Sequence, residues 1–215
     1  MTAFEQFATL LPDVMGWDRA WPWLLAALLG GYLIGSIPGG VLMTRMMGLG
    51  DLRKVGSGNI GATNVLRTGR KDIALITLLL DAGKAGVAAL IFNHFFGAPI
   101  GLFAGAAALI GHCFPIWLKF KGGKGVATFF GGLLATAWPI GLIAGAIWLA
   151  CAFITRISSL SALAAAGSAP LIAMLMGYTS VAMMAAVMAV IIYIRHAENI
   201  TRILNGTESR IGKKG

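Results

Sequence analysis

Long uncharged stretches alternate with short polar segments along most of this chain, a pattern that predicts a bundle of membrane-spanning helices. Residues 20–44 hold no charge and form a first span, whereas residues 73–96 form a second that is interrupted by Asp81 and Lys84. Residues 99–118 form a third span. Each stretch has the roughly 20 apolar residues that a helix needs to cross the hydrocarbon core.

Two longer stretches, residues 125–155 and residues 157–194, are also free of charge. The second is long enough for two crossings with a turn near Gly177. Within the first, Pro139 predicts a turning point, because proline ends a helix that runs into it. Each arm of that hairpin then has about 15 residues, roughly 22 Å at helical rise and shorter than a ~30 Å core. We therefore expect short, tilted or re-entrant helices there.

Lysine and arginine positions set the orientation of the spans, since basic residues concentrate in cytoplasmic loops. Three polar segments hold most of them, and all three are predicted to be cytoplasmic. Their basic residues are Arg45, Arg53, Lys54, Arg67, Arg70 and Lys71, then Lys119, Lys121 and Lys124, then Arg195, Arg202, Arg210, Lys213 and Lys214. This pattern predicts an all-α, polytopic membrane protein of seven transmembrane helices, with the N-terminus outside and the C-terminus cytoplasmic. Five crossings is the alternative, if the hairpin in residues 125–155 does not cross.

Composition supports this interpretation, since 58% of the residues are hydrophobic and only 12% are charged, too apolar for a soluble globule of 215 residues. The net charge of +9 is explained by the cytoplasmic loops, so nucleic acid is not an expected partner. Cys113 and Cys151 have no metal-like or disulfide spacing, and no metal or cofactor is expected. Residues 1–215 are predicted to form one integral-membrane domain, with an extracytoplasmic extension at residues 1–20 and a cytoplasmic tail at residues 195–215.

The first glycine-rich polar segment, residues 56–67 (GSGNIGATNVLR), is called the first loop below. Its glycines let backbone N–H groups turn inward, and Arg67 can clamp a phosphate with two hydrogen bonds. The plain alternative is a solvated turn, which needs fewer glycines and fewer small polar side chains than this segment holds. The first loop is therefore predicted to bind phosphate.

The second loop, residues 119–128 (KFKGGKGVAT), resembles a nucleotide-binding P-loop but lacks its spacing, because Gly125 follows Lys124 where serine or threonine is required. Lys124 precedes a helix expected to begin near Val126, so its charge and the helix N-terminal amides would face one anion. The alternative is a set of lysines that only orients the protein in the membrane. That alternative does not explain the Gly-Gly-Lys-Gly run.

Several further polar residues lie in or beside the spans. Asp81 and Lys84 are one turn apart, which favours either an ion pair or a functional pair. His112 ends an apolar helix, where a lone histidine is more often structural. His196 and Asn199 share a helix face just after the last span, and either a site or a polar helix end fits them.

Three of these segments resemble the three motifs of the bacterial acyl-phosphate:glycerol-3-phosphate acyltransferase family. They are residues 57–64 (SGNIGATN), residues 111–115 with 120–128 (GHCFP and FKGGKGVAT), and residues 196–200 (HAENI). The resemblance runs from about residue 24 to the C-terminus and excludes the extension before Trp21. It implies a seven-helix enzyme of the bacterial inner membrane with a cytoplasmic active site. Such an enzyme transfers a fatty acyl group from acyl phosphate to the first hydroxyl of glycerol 3-phosphate, giving lysophosphatidic acid and phosphate in phospholipid synthesis.

The residues themselves agree with that implication. The fifth residue after His94, His112 or His196 is never aspartate, so the His-x-x-x-x-Asp pair of soluble-type acyltransferases is absent from the sequence. The sequence also has no Gly-x-Ser-x-Gly elbow. Acyl phosphate is already activated, so the enzyme mainly has to hold two phosphates and one hydroxyl in attack geometry.

The hypothesis for the site assigns roles by motif. Arg67 and Lys124 clamp the two phosphates, and His196 with Asn199 holds glycerol 3-phosphate near the attacking hydroxyl. The base is either the substrate's own phosphate or His196. The remaining predicted substrate-binding residues are Ser57, Gly58, Asn59, Gly61, Thr63, Asn64, Gly123, Ser159 and Ser161. Membrane lipid surrounds the protein, and a soluble acyl-phosphate-forming enzyme is a possible partner at the basic loops.

A membrane transporter of a small organophosphate is the competing function, since anion-binding half-helices also occur in transporters. The basic glycine-rich segments are predicted at one membrane face, not at the midplane. The sequence also shows no internal repeat. Both features favour the enzyme.

Overall fold

The structure is a computed structural model that describes residues 17–56 and 58–212. Within those two ranges the chain is helical and contains no strand. Short 3₁₀ turns at Leu52–Lys54, Leu66–Thr68 and Ile116–Leu118 lie in the polar segments. The α-helices are α1 Trp17–Ser36, α2 Gly39–Met46, α3 Ala62–Val65, α4 Lys71–Phe96, α5 Ala98–Cys113, α6 Val126–Thr136, α7 Trp138–Thr155, α8 Ser158–Leu175, α9 Thr179–Arg195 and α10 Ala197–Leu204.

The first predicted span is confirmed as one apolar stretch, Arg19–Met46, although its helix is interrupted at two residues. Helix α1 ends at Ser36 and α2 begins at Gly39, with Pro38 between them. Proline has no N–H to donate and its ring crowds the preceding turn, so the helix stops there. The second and third spans are confirmed as α4 and α5.

Two helices joined by a turn are observed in residues 125–155, as predicted, but the two arms are not equal, and their crossing of the membrane stays a prediction. Helix α6 has 11 residues, about 16 Å of rise, whereas α7 has 18 residues, about 27 Å. The chain turns at Ala137, and Pro139 lies in the first turn of α7. Proline is favoured at that position because the first helical N–H groups have no partner within the helix. The proline thus begins the long arm and does not end the short one.

Five apolar stretches of the described chain are long enough to cross a membrane, and the pair α9 and α10, bent by 64°, gives a sixth. Helix α6 is apolar but shorter. The predicted turn near Gly177 is confirmed between α8 and α9. The count of seven crossings and the orientation of the termini stay predictions, and most of the predicted extracytoplasmic extension lies outside the described residues.

Small residues allow the helices to pack closely. Gly31 and Gly35 of α1 lie against the backbone carbonyls of Ala104 and Ala108 in α5, and a side chain at either glycine would collide with them. Close approach at small residues is the usual basis of helix packing in a membrane. Many large apolar side chains remain on the outer surface, such as Phe153 at 88% exposure, as expected for a surface that faces lipid.

The three polar segments lie at one end of this bundle. Arg195 at the end of α9 bonds to the second loop, while Val41 of α2, Ile60 of the first loop and Leu118 form a small buried cluster. The tail returns to the same end, where the N–H of Ile211 donates to the carbonyl of Arg156 at 2.7 Å. The helices therefore bring sequence-distant motifs together.

Candidate active site

A cleft of about 740 Å³ opens between the two loops and the segment that follows α9. Its walls come from all three predicted motifs, and they are rich in positive charge. The lining residues are Arg53, Gly58, Asn59, Lys121, Gly122, Lys124, Ile194, Arg195, Ala197, Glu198, Arg202, Thr207 and Ser209. The convergence predicted from the sequence is therefore observed.

The first loop is shaped from within by Asn64. Its amide nitrogen donates to the backbone carbonyls of Leu52, Val55 and Asn59 at 3.1, 2.9 and 2.8 Å. Asn64 is buried, with 1% of its surface exposed. This geometry makes Asn64 a scaffold of the loop, and its role as a phosphate ligand stays a prediction.

Other predicted residues of the first loop are placed differently. Arg67 packs its side chain against Gly56, and neither Arg67 nor Thr63 is among the described residues that line the cleft. Both are exposed, and Gly61 caps the short helix α3. Ser57 lies outside the described residues. Gly58 and Asn59 are thus the described part of this predicted set that reaches the cleft.

The second loop is held from outside by two helix ends. The N–H groups of Gly122 and Gly123 donate to the carbonyls of Cys113 and His112 at 3.1 and 3.0 Å, at the end of α5. From α9, Arg195 donates to the carbonyls of the same two glycines at 3.0 and 3.1 Å. The Arg195 guanidinium also lies 5.3 Å from the centre of the Phe114 ring. The Gly-Gly segment is therefore fixed on both sides, immediately before Lys124.

Lys124 connects the second loop to the third motif. Its ammonium donates a short hydrogen bond to the side-chain oxygen of Asn199, and the helix α6 begins two residues later at Val126, as predicted. Burial lowers the pKa of Lys124, and the charge of Arg202 lowers it further. The side chain lines the cleft, where its charge would face an anion.

Glu208, in the segment after α10, organises the third motif. Its carboxylate accepts hydrogen bonds from Asn199 at 2.7 Å, from Ser159 at 2.9 Å and from Arg202 at 2.6 Å. Burial raises the pKa of Glu208, but these three bonds outweigh that effect and lower it. The carboxylate is therefore ionised near neutral pH and orients Asn199 toward Lys124.

The two predicted serines separate. Ser159 belongs to this network through Glu208, whereas Ser161 is fully buried and donates to the carbonyl of Ile157 at 2.9 Å. Ser161 therefore completes the start of α8 and does not reach the cleft. A separation of two residues, just over half a turn of helix, puts the two hydroxyl groups in different surroundings.

His196 occupies the bend between α9 and α10. Its Nδ1 donates to the carbonyl of Ile192 at 2.8 Å, and only 3% of the residue is exposed. Because a carbonyl can only accept, this bond puts the ring proton on Nδ1 and leaves Nε2 unprotonated. Burial, with smaller contributions from Lys124 and Arg195, lowers the pKa of His196 to about 4, so the ring is neutral at pH 7. His196 and Asn199 are both buried at the bend, and their joint role in holding the acceptor stays a prediction.

Sequence reasoning missed the structural roles of Arg195 and Glu208 and the presence of Arg53 and Arg202 in the cleft. The signal that could have revealed Arg195 and Glu208 was their position in the sequence. Arg195 directly precedes the predicted histidine, and Glu208 is an isolated acid in a basic tail. A buried acid among cations is a natural orienting group.

Comparison with known proteins agrees with the motifs. Residues 25–206 match the family model described as glycerol-3-phosphate acyltransferase. A protein of that name from Maricaulis maris is 63% identical over 190 residues, covering 88% of this chain and 88% of the relative. Another from Sinorhizobium fredii is 56% identical over 203 residues, covering 94% of this chain and 100% of the relative.

Solved structures give the same result. A crystal structure of PlsY (YgiH), an integral membrane glycerol 3-phosphate acyltransferase, in its glycerol 3-phosphate form superposes with a TM-score of 0.82 at 40% identity, covering 88% of this chain and 96% of that one. Its lysophosphatidic acid form gives a TM-score of 0.81 at 38% identity, covering 88% and 95%. On these grounds the chain belongs to the glycerol-3-phosphate acyltransferase family.

Proposed function

We propose that this acyltransferase uses acyl phosphate as its donor and acylates the sn-1 hydroxyl of glycerol 3-phosphate, releasing lysophosphatidic acid and phosphate. The observation that carries the proposal is one cleft in which five cationic side chains meet two glycine-rich loops. Two phosphate-bearing substrates need such a site. The forms in which PlsY was crystallised, with glycerol 3-phosphate and with lysophosphatidic acid, support the acceptor and the product.

The reaction needs little covalent chemistry from the protein. The acceptor hydroxyl oxygen attacks the carbonyl carbon of the mixed anhydride, and an ester C–O bond forms. The bond between that carbon and the phosphate oxygen breaks, and its electron pair leaves with inorganic phosphate. Holding both reactants in attack geometry and neutralising the departing phosphate supply most of the acceleration.

We assign the cations of the cleft to those two tasks. Lys124, held by Asn199, neutralises phosphate charge at the start of α6, where the helix N-terminus adds to its field. Gly58 and Gly122 leave room for the phosphates in the cleft, since neither residue has a side chain to exclude them. Arg67, whose side chain packs on Gly56 of the first loop, is assigned to the phosphate that this loop binds.

The proton of the attacking hydroxyl goes to a substrate phosphate oxygen. His196 is a weak base because its pKa is about 4, and its Nδ1 is engaged with the backbone. Phosphate monoesters, with a second pKa near 6, accept a proton more readily at neutral pH. His196 therefore orients the acceptor together with Asn199 and does not remove its proton.

The proposal includes the membrane setting. The chain crosses the bacterial inner membrane seven times, with α6 as a short crossing and the cleft at the cytoplasmic face. The basic residues of the three polar segments support this orientation, because they lie at one end of the bundle. Cysteine-accessibility labelling at exposed Lys54 and at Tyr178 would test it, with only Lys54→Cys expected to react from the cytoplasmic side.

Phosphate release by the purified protein tests the donor. Detergent-solubilised protein with glycerol 3-phosphate and acyl phosphate should release phosphate and form lysophosphatidic acid in equal amounts. A parallel reaction with acyl-CoA should give neither product. Turnover with acyl-CoA and none with acyl phosphate would refute the donor assignment while leaving the acyltransferase family unaffected.

A further inference from the structure

A buried charged cluster lies behind the cleft and contributes no side chain to its lining. Lys84 of α4 donates to Asp81 on the same helix at 2.7 Å, and its ammonium lies 3.3 Å from Nδ1 of His112 in α5. The side chains are 6%, 3% and 4% exposed for Lys84, Asp81 and His112. Ionisable groups at this depth are costly and are seldom retained without a purpose.

The cluster fixes the orientation of the His112 ring. An ammonium has no lone pair, so Lys84 donates and Nδ1 accepts, which puts the ring proton on Nε2. The carboxylate of Asp81 is 3.6 Å from Nδ1, too far for a good hydrogen bond, and instead holds Lys84 in place. The imidazole therefore has one preferred rotation and tautomer.

One side of the cluster supports the second loop. The far edge of the His112 ring, at Nε2, packs directly on Gly123, and any side chain at that glycine would collide with it. The backbone of His112 also accepts the N–H of Gly123 at 3.0 Å. The Gly-Gly segment before Lys124 therefore packs against this ring.

The other side of the cluster supports the first loop. Gly39, the first residue of α2, lies so close that a Cβ there would be 3.3 Å from Oδ1 of Asp81. The next residue, Gly40, packs on the carbonyl of Ile60 in the first loop. A chain of direct contacts therefore runs from Ile60 through Gly40 and Gly39 to the cluster, and on through His112 to Gly123.

We infer that Asp81, Lys84 and His112 are positioning residues that set the distance between the two loops. Each loop retains its own means of holding a phosphate without them, so their loss alters the alignment of the two substrates more than the binding of either. A misplacement of about 1 Å between reacting groups costs on the order of 10²-fold in rate. The inference rests on the proposed function in so far as each loop holds one substrate.

Steady-state kinetics of purified variants test this inference. In Lys84→Met, kcat is expected to fall at least about 10-fold, while KM for glycerol 3-phosphate and for the donor stays within about threefold. Asp72→Asn is the matched control, since Asp72 lies on the same helix but in an exposed pair with Arg70. Asp72→Asn makes the same chemical change as the Asp81→Asn substitution used in the double variant below. Its kcat is expected within about twofold of wild type.

The double variant Asp81→Asn/Lys84→Met separates positioning from stability. Removing one partner of a buried pair leaves an unpaired charge, whereas removing both does not. The double variant is therefore expected to regain thermal stability relative to either single variant while kcat stays at least about 10-fold low. If the single variants do not fold, the kcat of the double variant alone tests the inference.

Two results would overturn the inference. One is recovery of kcat together with thermal stability in the double variant, which would make the pair a stabilising element only. The other is a rise in KM that accounts for the whole loss of kcat/KM. If wild-type protein does not use acyl phosphate, the donor assignment fails, and the same variants are compared with the acyl donor that wild type accepts.

Discussion

The two glycine-rich loops perform similar tasks but are built in opposite ways. The first loop is held by its own Asn64, whose amide nitrogen bonds three carbonyls in or just before the loop. The second loop is held by neighbours, with Arg195 of α9 on one side and His112 and Cys113 of α5 on the other. The first is thus a local unit, whereas the shape of the second depends on where two helices end.

This difference affects how damage spreads. A defect in the hydrogen bonds of the first loop should act first on that loop, because they come from Asn64 within it. A defect in the second loop, or in the helix ends beside it, should move Lys124 and through it Asn199. The following variants test that contrast, beginning with the largest expected effect.

Removal of the Lys124 charge should have the largest effect. Lys124→Met keeps most of the length of the side chain but removes the cation, and turnover should fall by about 10²–10³-fold, the usual cost of one group that stabilises charge in a transition state. Lys119→Met is the matched control, since Lys119 lies in the same loop, is exposed and does not line the cleft. Equal losses in both variants would show that only the total charge of the loop matters.

Gly123→Ala should break the second loop at its tightest contact. The added methyl group would collide with the His112 ring, so the loop must shift, and we expect at least about 10-fold lower kcat. Gly58→Ala strains the first loop through its φ of +70°, which costs about 1–2 kcal/mol, and adds a methyl group to the cleft wall, but it leaves the contacts with α5 and α9 in place. Its kcat loss should be smaller.

A matched control for both is Gly83→Ala in α4, where no atom lies within 4 Å of the new methyl group. That variant should match wild type in kcat and gain slightly in stability, because alanine favours a helix over glycine. A Gly58→Ala variant more damaged than Gly123→Ala would reverse the contrast between the loops.

Limited trypsin digestion should separate the two scaffolds directly. Asn64→Ala removes the two N–H donors that three carbonyls share, destabilises the first loop by about 2 kcal/mol and should speed cleavage after Arg53 and Lys54 only. Arg195→Lys cannot bridge two carbonyls and should speed cleavage after Lys121 only. If each variant exposes both loops equally, the first loop is not a local unit.

The sequence predicts which residues form this site better than it predicts the contacts that hold them in place. Glycines and lysines at Gly122 and Lys124 indicate phosphate chemistry, and uncharged stretches indicate spans, because both signals are local. The equal arms predicted around Pro139 are wrong, since a proline can begin a helix as well as end one. The scaffold role of Asn64 was also missed, because a polar side chain in a glycine-rich loop can bond a ligand or the loop itself.

Long-range partners are a different problem. Arg195 meets Gly122 across 73 positions of sequence, and Lys124 meets Asn199 across 75. No local pattern encodes such pairs, which depend on the lengths and crossing of the helices between them. The convergence of the motifs was predictable only because the basic residues placed all three at one membrane face.

The smallest expected effect concerns the pH dependence of turnover and His196, the residue that follows Arg195. A histidine with a pKa of about 4 is neutral from pH 5.5 to 8, so its titration should not alter turnover in that range. Wild type and His196→Asn should therefore show the same apparent pKa in log kcat against pH, although the variant is slower at every pH. If His196 were the base with an ordinary pKa near 6.5, wild-type kcat would fall as pH drops through 6.5 and the variant would lose that dependence. A wild-type limb near pH 6.5 that is absent from His196→Asn would contradict both the buried neutral ring and the transfer of the proton to phosphate.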